Sequence, residues 1–84
     1  MYEIIFTNEA KKSFSSLNKD QQERIASALE RIKIRPYNFV RRLYKSKYFR
    51  LRVDNLRIIL DINDMQLIIY VIEIGDRSNI YGKI

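Results

Sequence analysis

Cysteine and histidine are both missing from the 84 residues. Their absence removes disulfide staples, zinc or iron–sulfur ligation through thiolate and imidazole, and any catalytic scheme built on a histidine base. The fold must rest on packed apolar side chains, and a composition 46% hydrophobic is enough for a compact core. No apolar run approaches the roughly 18 residues of a spanning helix, and the opening MYEIIFTNEAKK has charge inside its apolar stretch and no small-residue cleavage site. Repeats, linkers and low-complexity segments are also lacking. The expectation is a single domain, 1–84, of a soluble cytoplasmic protein with no membrane partner, metal site or cofactor. A chain this short buries only about 60 to 65% of its unfolded surface.

Acidic residues are scarce in one stretch. The formal charge is +6 overall, but residues 33–57 hold nine basic side chains (Lys33, Arg35, Arg41, Arg42, Lys45, Lys47, Arg50, Arg52, Arg57) against Asp54 alone, a local balance of +8. Clustered cations favour polyanions through charge attraction and counterion release, so the block is a candidate nucleic-acid surface. Its alternatives are a solubilising face or a mate for an acidic protein.

Hydrophobic spacing orders the elements. Tyr2, Ile4 and Phe6 alternate as in a strand. Thr7 precedes Ala10, Phe14 and Leu17, an N-cap and one stripe of a short helix. Asp20 and Glu23 form a capping-box-like start to a second helix, with Ile25, Ala28, Leu29 and Ile32 as its buried stripe and Pro36 as its stop. Residues 37–47 lack a clean period and are expected to be a loop anchored by Phe39 or Leu43. Strand-like runs follow at 48–53, 56–62 and 66–74, separated at Asp54-Asn55 and Asn63-Asp64, residue types that tolerate tight turns. The third run, QLIIYVIEI, is apolar on both faces and suits a central strand. The order β-α-α-β-β-β is that of an α+β domain, an antiparallel-dominated four-stranded sheet with a helical hairpin packed on one face.

A two-residue turn at Asp54-Asn55 pairs 53 with 56, 52 with 57 and 50 with 59. Directly paired residues share a face. Phe49, Leu51, Val53, Leu56, Ile58, Leu60 and Ile62 then form one apolar surface, and Arg50, Arg52 and Arg57 fall together on the other, presented to solvent. A one-residue slip would bury the arginines, which specifies the register. Of the acids on these two strands only Asp61 is expected to reach that face, and opposed like charges are destabilising by about 0.2–1 kcal/mol. Such a cluster suggests an anionic ligand. Tyr44, Tyr48 and Phe49, interleaved with the block, offer either stacking surfaces or core or loop anchors. After the last strand, Gly75-Asp76-Arg77 and Tyr81 add an arginine and a phenol.

Taken in order, A-x3-F-x2-L, the second helix ending in proline, Y-x-R-L-R-V-x-x-L-R-I-I-L and I-G-D-R-x-x-I-Y resemble the RelE branch of the RelE/ParE toxin superfamily of toxin–antitoxin systems. No single motif is specific; their order and spacing over nearly the whole chain are. The resemblance implies a RelE-like fold and an mRNA interferase that enters the ribosomal A site and cleaves messenger RNA by attack of the ribose 2′-OH on the adjacent phosphate. It implies a RelB-like antitoxin, the ribosome and mRNA as partners. Arg50, Arg52, Arg57, Arg77 and Tyr81 match the family's catalytic positions, and Arg41, Arg42, Lys45 and Lys47 would contact ribosomal RNA or substrate phosphates. The same superfamily includes ParE-type inhibitors of DNA gyrase, and a catalytically inactive antitoxin- or nucleic-acid-binding module is a further alternative.

Metal-independent cleavage needs the 2′-OH deprotonated, the phosphorane stabilised and the leaving oxygen protonated. Guanidinium forks suit the second task, assigned to Arg57 and Arg77. A tyrosine among arginines is a stronger acid than a free one, so Tyr81 is the expected base. The best-known members carry lysines where this chain has Arg50 and Arg52, which leaves the leaving-group acid unassigned, since arginine gives up a proton far less readily.

Overall fold

The computed structural model describes residues 1–76. Arg77 and Tyr81 lie outside the described residues. The elements run β1 (Glu3–Phe6), α1 (Asn8–Ser15), α2 (Lys19–Ile34), a single 3-10 turn (Pro36–Asn38), β2 (Val40–Arg42), β3 (Phe49–Val53), β4 (Leu56–Asn63) and β5 (Ile68–Asp76). They form one five-stranded sheet in the order β1-β5-β4-β3-β2. β1 pairs parallel to β5, and all other pairings are antiparallel. The α+β class and the central place of the last strand agree with expectation. The fifth strand does not: Val40–Arg42, inside the expected loop, pairs with β3. Three residues are too few to display a period of two.

Helix ends follow local chemistry. Thr7 caps α1, its Oγ1 accepting from the Ala10 amide at 3.2 Å. The second cap is Asn18 rather than Asp20. Its Oδ1 accepts from the Gln21 amide at 2.8 Å while Gln21 Oε1 accepts from the Asn18 amide at 3.3 Å, a full capping box two residues earlier than expected. α2 stops at Ile34, because Pro36 disfavours a helical Arg35. Among the described residues, no helix is long and apolar enough to cross a membrane.

The helices cover one face of the sheet. Ile25, Ala28, Leu29 and Ile32 of α2 and Ala10 of α1 meet Leu51, Leu56, Ile58, Leu60, Ile69, Val71 and Ile74, all buried. Phe14 packs edge-on against Phe6, ring centroids 5.6 Å apart. Leu17 follows α1 in the link to α2 and is half-buried against the same core.

The end of the sheet opposite the β3–β4 turn is tied by one carboxylate. Asp64, in the β4–β5 turn, accepts from the Tyr2 hydroxyl at 2.7 Å and from the Tyr37 hydroxyl at 2.8 and 2.9 Å. The two phenols hold the carboxyl below its ordinary range. Burial, and then the bond to Asp64, push Tyr37 up to about 12. The Tyr37 ring packs on Phe49 at 5.5 Å. Of the two expected loop anchors, Leu43 is half-buried and its amide donates to the Tyr48 carbonyl at 3.0 Å. Phe39 is exposed.

Candidate nucleic-acid interface

The β3–β4 hairpin has the expected register: Val53↔Leu56, Arg52↔Arg57, Leu51↔Ile58 and Arg50↔Ile59. Asp54 takes φ 55° at the turn, a conformation aspartate tolerates. Because opposed residues share a face, Arg50, Arg52 and Arg57 project away from the helices. β2 adds a fourth cation, since Arg41 opposes Arg50. The face thus carries two directly opposed arginine pairs, Arg41/Arg50 and Arg52/Arg57. Opposed Cβ atoms in antiparallel sheets lie about 4.5–5.5 Å apart, so four guanidinium groups share a small patch.

The nearby acids are mostly directed elsewhere. Asp54 is drawn to α2: Arg24 reaches it at 2.8 Å and Asp20 at 3.1 Å, and the bond to Asp54, then the charge of Asp20, raise the arginine's pKa. Asp61, the expected neutralising partner, is nearest to Lys47 at 3.9 Å. Among the described residues, Arg41, Arg50 and Arg52 make no ion pair.

Arg57 departs from expectation in one respect. It is 4% exposed rather than presented to solvent, and Ile59 on the same face is fully buried. The cause begins in β5. The register runs Leu60↔Val71 and then Ile59↔Glu73, so Ile72 is an extra residue, a β-bulge. Thr7 pins it: its hydroxyl donates to the Ile72 carbonyl at 3.0 Å and its amide to the Val71 carbonyl at 3.0 Å. Without the bulge, Glu73 would oppose Ile58 and face the helices. With it, Glu73 turns to the arginine face, buried at 7% exposure and diagonal to Arg57, within reach of a long side chain. Two buried ionisable groups of opposite sign thus lie diagonal to one another on neighbouring strands.

A family model for the ParE toxin of the type II toxin–antitoxin system, parDE, matches residues 4–81. The chain belongs to the RelE/ParE superfamily of toxins.

The toxin's fold has solved counterparts. It superposes on the toxin of the intact E. coli RelBE toxin–antitoxin complex with a TM-score of 0.79 at 20% identity, covering 92% of this chain and 98% of that one. An archaeal RelE–RelB complex from Pyrococcus horikoshii OT3 gives 0.79 at 20% identity over 92% and 96%. The RelB–RelE complex of Methanococcus jannaschii gives 0.72 at 20% identity over 94% and 96%. At these identities the likeness is one of fold. A comparison with curated proteins finds no significant sequence match.

Within the toxin, the structure gathers Arg41, Arg50, Arg52 and Arg57 and separates Arg42 from them. Arg42 opposes Phe49 on the other face, its guanidinium 5.8 Å from that ring's centroid and its Nε donating to the Ser46 carbonyl at 2.9 Å. Lys45 and Lys47 lie in the β2–β3 connection. Glu73 is the site residue that sequence reasoning missed. A lone acid in an apolar central strand is a visible signal, but its face depends on the bulge. Among the described residues, no cluster of three acids could hold a metal ion.

Proposed function

We propose that the toxin is a ribosome-dependent mRNA interferase. The observation that carries this reading is the pairing of arginine with arginine, twice, on a face where three of the four have no acidic partner among the described residues. Opposed like charges are unfavourable in the free protein and become favourable when a bridging phosphate lies between them. In the proposed reaction Tyr81, as the phenolate, takes the proton of the 2′-OH, the oxygen attacks the adjacent phosphorus, and the bond to the 5′-oxygen breaks as that oxygen takes a proton from water. The products are a 2′,3′-cyclic phosphate and a 5′-hydroxyl. Arg57, oriented beside Glu73, and Arg77 bind the phosphorane oxygens. Arg50 and Arg52 hold the phosphate or the leaving oxygen, and Arg41 extends the same surface. Arginines position charge well and transfer protons poorly, which fits a toxin whose message is held in a near-attack geometry by the ribosome. A RelB-like antitoxin with acidic side chains against the cationic face would silence it in the cytoplasm, where its substrate is.

The test is a cell-free translation reaction with a defined message, mapped by primer extension. Wild type should cut within codons, only on translating ribosomes. Arg77→Ala and Tyr81→Phe should each slow cutting by about 100-fold, the scale of losing one transition-state contact. Intact message and undiminished translation at all doses would overturn the reading. The matching family model is that of ParE, which favours one second reading, inhibition of DNA gyrase. A supercoiling assay would then decide it.

A further inference from the structure

The β2–β3 connection is ordered well beyond what a spacer needs. The Leu43 amide donates to the Tyr48 carbonyl at 3.0 Å and the Ser46 amide to the Leu43 carbonyl at 3.2 Å. Arg42 Nε donates to the Ser46 carbonyl at 2.9 Å, and the Tyr48 amide to Ser46 Oγ at 3.1 Å. Lys45 takes φ 54°, in the left-handed region that a non-glycine residue enters at some cost. These bonds fix a tight tip, and they fix it with Tyr44 pointing outward at 87% exposure.

A single exposed aromatic is ordinary. The setting of this one is not. Lys45 Nζ lies 5.4 Å from the Tyr44 ring centroid and Lys47 Nζ 5.5 Å from that of Tyr48. No acidic residue occurs between positions 33 and 53. Tyr44 follows Arg41 by three residues, in the turn just past the end of β2, so an RNA whose phosphates lie on the arginine rows can set a flanking base at the tip. An aromatic face beside a cationic track is how proteins bind unpaired nucleotides, by stacking on the base and attracting the backbone.

We propose that Tyr44 is a stacking platform for an unpaired RNA base, with Lys45 steering the adjoining phosphate, so that the hairpin tip sets affinity for RNA while the arginine face carries the chemistry. This assignment rests on the reading of that face as an RNA surface. The base belongs either to the message or to ribosomal RNA.

The experiment is fluorescence anisotropy of purified toxin with a labelled 12-nucleotide oligo(U) RNA, with the same RNA carrying abasic sites, and with vacant ribosomes. Tyr44→Ala should bind about 10-fold more weakly, and Tyr44→Phe within two-fold of wild type, each with an unchanged melting temperature. The salt slope should be unchanged in Tyr44→Ala and shallower by about 0.7 in Lys45→Ala. The abasic RNA should erase the difference between wild type and Tyr44→Ala. A loss on oligo(U) assigns the base to the message, and a loss confined to ribosomes assigns it to ribosomal RNA. Equal binding of wild type and Tyr44→Ala on both probes overturns the proposal, as does an equal loss on abasic RNA. A toxin that binds through Tyr44 and cuts no message would instead overturn the interferase and leave the platform standing.

Discussion

The two strand pairings that build the arginine face differ in how they are specified. β3 and β4 are joined by a two-residue turn, and their alternation runs without interruption from Phe49 to Leu60. β4 and β5 are joined by four residues, Asp64 to Leu67, and slip by one at Ile72. In the first pair, face and register follow from turn chemistry and period two alone. In the second they depend on Thr7, 65 residues away along the chain, which bonds the bulged carbonyl. One side of the site is therefore a local product of the sequence, and the other is a product of the assembled sheet.

The contrast can be broken at three points. Leu60→Ala removes a fully buried side chain from the helix-covered face, where both pairings contribute, and should lower stability by about 2–5 kcal/mol in urea titration. An unchanged midpoint would mean that the core does not close over that face. Thr7→Val keeps the shape of the residue but deletes both the α1 cap and the bond to Ile72. A loss of about 1–2 kcal/mol is expected, with weakened cleavage, because the bulge that aims Glu73 at Arg57 is released. If stability falls while cleavage is unaltered, the bulge has no part in the site. Arg52→Gln should have the smallest effect on folding and the opposite sign. Relief of its opposition to Arg57 should raise stability by about 0.2–1 kcal/mol, while RNA affinity falls. A destabilised variant would show instead that Arg52 has an internal partner.

The legibility of the site divides in the same way. The sequence marked Arg50, Arg52 and Arg57 as one face because a single short turn sets their phase. It also marked Asp61 as their counter-charge, a role that Glu73 fits better by burial and register and that no periodicity argument could assign across a bulge. Arg41 was visible only as part of a basic block, since Val40–Arg42 is too short to announce a strand and becomes one by pairing with β3. Asp20 was a reasonable cap by type, but the backbone leaves the helix at Asn18, where Gln21 can complete the box.

By itself, then, the sequence determined the α+β order, the stripe and stop of α2 at Pro36, the β3–β4 register and the sorting of arginine from leucine and isoleucine across that hairpin. These depend on dihedral preferences and side-chain periods that act over a few residues. Only the tertiary structure decided that a fifth strand brings Arg41 opposite Arg50, that Asp54 is taken up by Arg24, and that Arg57 is buried diagonal to Glu73. Each of those depends on which distant segments lie side by side, and the reason is that a sheet's hydrogen bonds join strands far apart in the chain. A single inserted residue in one of them reverses the faces that follow.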